Sequence, residues 1–141
     1  MKKIINITLC GLSLEVIEYF LLLSAIQIEN ILKYNIPILR FSGSLRDANE
    51  ISFTRFVFYF LFWVIAIYLL YDKINIKQPI LKLGVANCSL YILLSLGMTL
   101  FFPFAIEFFS RSFFYFLIIS TFLSPFILNI LPFFKRIIAT I

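Results

Sequence analysis

Residues Gly11–Leu23 read GLSLEVIEYFLLL, an apolar run that contains two carboxylates, Glu15 and Glu18. This run belongs to a longer apolar segment, about 4–28, which follows Lys2 and Lys3. A helix of that length is enough to cross a hydrocarbon core of about 30 Å. An acidic side chain inside a membrane costs a few kcal/mol on insertion scales. We therefore expect both carboxylates to face protein or water rather than lipid.

The composition of the whole chain predicts an integral membrane protein. The chain has 141 residues, of which 62% are hydrophobic, and its mean hydropathy is +1.04. Soluble domains are nearer about half apolar, and a small core buries only part of the surface of its chain. Lipid must therefore solvate much of the apolar surface.

Four apolar segments predict four transmembrane helices, at about 4–28, 55–72, 83–104 and 112–134. An all-α fold follows because a backbone in lipid must satisfy its own hydrogen bonds within each helix. We expect one membrane domain over 1–141, with an outer loop at about 29–54 and a retained first helix that lacks a small-x-small cleavage pattern. Pro125 predicts a kink in the fourth helix, where neighbouring hydroxyl groups could bond the carbonyl that the proline leaves free.

The distribution of basic residues predicts that both termini lie in the cytoplasm. With the N-terminus inside, the inner face holds seven basic residues against one acid, Asp72, and the outer face holds five against four acids. Cytoplasmic loops carry the excess of lysine and arginine in membrane proteins. We therefore expect an N-in, C-in bundle in a bacterial cytoplasmic (inner) membrane.

The residue inventory argues against several classes of function. The net charge is +5, but the 12 Lys and Arg residues are scattered and form no nucleic-acid patch. The chain has no histidine and only two cysteines, Cys10 and Cys88, which lie in apolar segments. Without a histidine, a Gly-x-Ser-x-Gly elbow or a phosphate-binding loop, the sequence predicts no enzyme, no metal site and no cofactor.

Glu15 and Glu18 are the sharpest functional signal in the sequence. Three residues apart, they lie on neighbouring positions of one helix face. The sequence leaves three roles open: a structural polar contact, a proton or cation site, and a contact with a partner protein that supplies the opposite charge in the membrane. Possible partners within the chain are basic residues at the outer ends of other helices for Glu18 and weakly polar residues at mid-depth for Glu15: Arg55, Arg111, Ser95, Ser120 and Thr121.

Two family resemblances bear on the function. The glutamate within Leu14–Ile17, LEVI, midway along a first helix, resembles the small multidrug resistance transporters, which implies proton-coupled transport. The overall layout has both ends inside, a basic second turn at Asp72–Lys82, DKINIKQPILK, and a basic tail at Phe133–Arg136, FFKR. This layout is similar to that of immunity proteins against pore-forming colicins, which implies binding to a toxin within the bilayer.

Taken together, these features predict a small non-catalytic protein that acts through protein–protein contacts in the membrane. It would be an accessory subunit of a membrane complex or an immunity-type protein against a pore-forming toxin. The alternative is a small proton- or cation-coupled transporter or channel that uses Glu15 and Glu18 and works as an oligomer. Expected partners are membrane lipid and either a membrane protein or further copies of the chain, with no nucleic acid.

Overall fold

A computed structural model describes residues 2–34, 59–101 and 112–141. The described elements are α1 (Lys2–Tyr34), α2 (Leu61–Leu70), a short 3₁₀ helix (Tyr71–Lys73), α3 (Pro79–Phe101), α4 (Ser112–Leu128) and α5 (Pro132–Thr140). No strand occurs in these three ranges. The prediction of an all-α fold is confirmed over the described part of the chain.

Two described helices are long and apolar enough to cross a membrane. These segments are Lys2–Ala25 and Pro79–Gly97, and a third span results if the bent pair Tyr115–Leu128 and Pro132–Thr140 is counted as one. Such helices are consistent with an integral membrane protein. The predicted second span, about 55–72, lies partly outside the described residues, and its described portion contains the 10-residue helix α2.

The segment predicted as one helix at 112–134 is two helices in the structure. Helix α4 ends at Leu128, and α5 begins at Pro132 with a bend of 108° between them. Proline disfavours helical geometry in the residue before it, and Leu131 is extended with φ −78° and ψ 120°. The continuous fourth helix was therefore a wrong prediction at its C-terminal end. Pro125 lies inside α4, and a kink at that residue stays a prediction.

Helix α4 packs against both α1 and α3. Helix α2 contacts α1 and α3, and α5 lies across α1 and α3. Two glycines permit close approach. A Cβ atom on Gly11 would lie 2.8 Å from Cζ3 of Trp63, and one on Gly84 would lie 2.9 Å from the backbone oxygen of Phe122. Helix α1 therefore contacts the indole of α2 directly, and α3 contacts the backbone of α4.

Large apolar side chains cover much of the outside of the described helices. Exposed examples occur on each of the five: Val16, Phe20, Leu61, Ile65, Leu93, Leu100, Ile119, Leu123 and Phe133. A water-soluble protein rarely exposes so continuous an apolar surface. The surface is consistent with a bundle that is solvated by lipid.

One end of the bundle brings together chain segments that are far apart in sequence. Lys3 Nζ lies 2.6 Å from Asp72 Oδ2, and Asn6 Nδ2 donates to Thr140 Oγ1 at 3.0 Å. The start of α1, the end of α2 and the end of α5 therefore meet at one level. The Lys3 ammonium group, as donor and as neighbouring charge, holds the pKa of the exposed Asp72 carboxyl below its ordinary value.

Candidate functional site

Glu18 is enclosed at the junction of three helices. It is only 1% exposed, although it carries a carboxyl group in an apolar helix. Its Oε1 atom accepts hydrogen bonds from Asn87 Nδ2 of α3 and from Ser124 Oγ of α4, each at 2.8 Å. One carboxylate oxygen thus joins α1, α3 and α4, which satisfies the requirement that a buried polar group find partners.

Asn87 is the centre of this network, which we call the Glu18 junction and define as Glu18, Tyr59, Asn87, Thr121 and Ser124. Its Nδ2 group donates to Glu18 Oε1 and, at 2.7 Å, to the backbone oxygen of Thr121. Its Oδ1 atom accepts from the Tyr59 hydroxyl group at 2.5 Å. Because acceptors surround the nitrogen and a donor faces the oxygen, the contacts themselves determine the orientation of the amide.

Pro125 explains why a backbone carbonyl is available inside α4. A proline has no N–H group, so the oxygen four residues earlier, that of Thr121, loses its helical donor. That oxygen accepts instead from Asn87 Nδ2 at 2.7 Å. Ser124 Oγ lies 3.3 Å from it, but the single hydroxyl proton of Ser124 is donated over the shorter distance, 2.8 Å, to Glu18 Oε1. A neighbouring hydroxyl group was expected to bond this carbonyl, but the amide of another helix makes the shorter contact and satisfies it. The proline thus creates an acceptor to which a second helix binds.

Tyr59 closes the junction from the segment that precedes α2. Its hydroxyl group also lies 2.9 Å from the backbone oxygen of Asn87, and its ring packs edge-on against Tyr91 at 5.8 Å between centroids. Tyr59 is 2% exposed and Asn87 is 1% exposed. The phenol thereby connects a fourth segment of the chain to the polar interior.

Gly84 sets the distance at which Asn87 reaches α4. Residues three apart on a helix lie on one face, so Gly84 and Asn87 both face α4. The 2.9 Å separation between a hypothetical Gly84 Cβ and the Phe122 oxygen is shorter than real Cβ contacts. Any larger residue would push α3 away from α4 and lengthen the bond from Asn87 to Thr121.

The structure distributes the predicted site residues unevenly. Glu18 is buried, while Glu15, one turn away, is partly exposed. Thr121 joins the junction through its backbone oxygen, and its hydroxyl group donates to Ile118 O at 2.8 Å. Ser120 is buried and donates to Leu117 O, and Ser95 is partly buried on α3. The other two predicted partners, Arg55 and Arg111, lie outside the described residues.

Sequence reasoning did not assign Asn87, Ser124 or Tyr59 to Glu18. A usable signal was present, because Ser124 and Pro125 mark the turn of α4 with a free carbonyl, and Gly84 marks the turn of α3 that can approach it. The sequence does not indicate how far each helix is shifted along its neighbours, so it could not show that Glu18, Asn87 and Ser124 lie at the same level.

The chemistry of the Glu18 junction is that of hydrogen bonding. A carboxylate, a carboxamide, two hydroxyl groups and a backbone oxygen provide no activated nucleophile, since no histidine exists to act as its base. Within residues 2–34, 59–101 and 112–141, no group of three His, Cys, Asp or Glu side chains could hold a metal ion. The arrangement can hold four segments of the chain together.

Comparison of the chain with protein-family models, with curated proteins and with solved structures finds no match.

Proposed function

We propose that this chain is a small non-catalytic protein of the bacterial inner membrane that acts through protein–protein contacts in the bilayer. It has four spans with both termini in the cytoplasm and serves as an accessory subunit or as an immunity-type protein against a pore-forming toxin. The observation that carries the proposal is that the Glu18 junction is enclosed within the bundle. The carboxylate is 1% exposed and accepts two internal donors, so its first role is to join helices.

The joined helices leave their outward faces free for contacts within the membrane. Val16 on α1 and Leu93 on α3 are 56% and 59% exposed, and each belongs to an apolar helix. A rigid bundle with an apolar exterior can bind another transmembrane helix by close packing. The basic end, with the Lys3–Asp72 pair, supports the cytoplasmic placement of the termini.

Photo-crosslinking in the native membrane tests this proposal. A photoreactive amino acid replaces Val16 in one variant of the full chain and Leu93 in another, and the products are identified by mass spectrometry after gentle detergent extraction. We expect one of the two faces to crosslink to a single membrane protein that copurifies in a fixed ratio. Crosslinks to lipid or to the chain itself from both faces would contradict the proposal.

The alternative is a proton- or cation-coupled transporter, and one observation favours it. Glu18 is a titratable group within a continuous hydrogen-bonded chain that runs from Tyr59 through Asn87 to Ser124. Glu18→Gln separates the two functions, because glutamine still accepts the bonds of Asn87 and Ser124 but carries no titratable proton. Partner binding should survive the change, whereas proton-coupled flux in vesicles should be lost. Glu15→Gln tests in the same assay whether the other carboxylate of this helix also takes part in the flux.

A further inference from the structure

Helix α5 is the one described helix with a clear division between an apolar and a basic face. Three apolar residues on one side, Ile137, Ile138 and Ile141, are buried against the bundle. On the other side, Lys135 and Arg136 are exposed. Neither cation forms an ion pair with any residue in the described ranges. The helix therefore presents two available cations at the surface of the bundle.

The geometry places α5 across the end of the bundle. It follows α4 with a bend of 108°, contacts α1 and α3, and ends where Thr140 accepts from Asn6 of α1. The Lys3–Asp72 pair lies at this same end of the bundle. If α4 crosses the membrane, a helix nearly perpendicular to it at this level lies along the membrane–water interface.

Apolar side chains flank the basic face and are themselves uncovered. Ile130 is 77% exposed, Leu131 51% and Phe133 62%. Phe133 is three residues before Arg136 and so lies beside it on the helix surface. A ligand that fits this surface has an anionic group next to a hydrocarbon chain, which is the chemistry of an anionic phospholipid.

We propose that α5 is a binding site for anionic phospholipid, in which Lys135 and Arg136 contact the phosphate headgroup and Phe133 and Leu131 contact the acyl chains. Two other cations at this end have partners within the chain. Lys3 is paired with Asp72, and Lys82 lies 4.4 Å from the centroid of the Tyr71 ring. The inference uses insertion of the bundle in a membrane but does not depend on the protein partner proposed above.

Lipid titration of the purified full chain tests the site. Native mass spectrometry in a mild detergent compares phosphatidylglycerol with phosphatidylcholine of the same acyl chains. We expect the wild type to bind phosphatidylglycerol more tightly by about tenfold or more. The double variant K135Q/R136Q should lose roughly fivefold in affinity for each charge removed, since juxtamembrane cations contribute at that scale.

The matched control is K73Q/K77Q, which removes two exposed lysines from the same end of the bundle but not from α5. It should change the affinity less than twofold. Equal binding of the two lipids by the wild type would overturn the proposal. An equal loss in both double variants would overturn it as well, because attraction would then come from diffuse charge rather than from α5. All four substituted residues are exposed, and an unchanged unfolding midpoint verifies that the variants fold.

Discussion

Two carboxylates of this chain each contact a nitrogen donor, but in opposite surroundings. Glu18 is 1% exposed and accepts hydrogen bonds from Asn87 and Ser124. The Asp72 side chain is 70% exposed and forms an ion pair with Lys3. Water competes for the second contact and screens its charge, while the first has no solvent to replace a lost donor. We therefore expect the amide contact at Glu18 to contribute more to stability than the shorter ion pair at Asp72.

Removal of Asn87 should have the largest effect, because it leaves the Glu18 carboxylate and the Thr121 oxygen without their shared donor. We expect Asn87→Ala to lower the free energy of unfolding by about 2 to 3 kcal/mol. Equilibrium unfolding of the purified chain in mixed micelles measures this change. Asn129→Ala is the matched control at a partly exposed residue near the end of α4, and it should cost less than about 0.5 kcal/mol.

A side chain at Gly84 should have the next largest effect. Gly84→Ala places a Cβ atom 2.9 Å from the Phe122 oxygen, which is backbone and cannot rotate away. We expect a loss of about 1 to 3 kcal/mol from the resulting strain and separation of α3 from α4.

Gly97→Ala provides the control, since a Cβ atom there meets nothing within 4 Å. Alanine is favoured over glycine in a helix interior, so this change should be neutral or stabilising by up to about 1 kcal/mol. A common loss at both glycines would show that close packing at Gly84 is not the cause.

Glu18→Gln should have a smaller effect than Asn87→Ala. Glutamine keeps an oxygen that accepts from Asn87 and Ser124, so we expect a change below about 1 kcal/mol in the same unfolding assay. A loss as large as that of Asn87→Ala would mean that the negative charge, rather than the hydrogen bonds, holds the Glu18 junction together.

The smallest effect belongs to the exposed pair. The pKa of Asp72 is lowered by Lys3, so the pair stabilises the fold above the ordinary pKa of the carboxyl and loses this contribution as the pH falls through the lowered value. Asp72→Asn should therefore shift the melting temperature slightly at pH 7 and not at all well below about pH 4. A shift that persists at acidic pH would contradict the ion pair as its source.

The sequence predicted helices well because their signals are local. Apolar runs, charges at their ends and the absence of strand patterns follow from neighbouring residues, and α1 and α3 formed close to where they were expected. The wrong prediction, a continuous helix through 129–131, came from choosing between two prolines. A kink was expected at Pro125, but α4 continues through Pro125, and the chain breaks before Pro132, where α5 begins.

The candidate site was predictable in part. Burial of a carboxylate in α1 followed from the cost of exposing it to lipid, and a bond to the carbonyl freed by Pro125 followed from the chemistry of proline. The division between Glu15 and Glu18 did not follow, because both lie on one helix face and only the positions of α3 and α4 separate an enclosed carboxylate from a partly exposed one.

The sequence by itself determined an apolar helical chain with two carboxylates in its first helix, because hydropathy and helix spacing depend on residues within a few turns. The tertiary structure alone decided that Glu18 meets Asn87 and Ser124, which are 69 and 106 residues away in the chain. It also decided that α5 crosses the end of the bundle. Such contacts depend on the depth and rotation at which helices pack, and small residues such as Gly84 set these by permitting the backbones to approach.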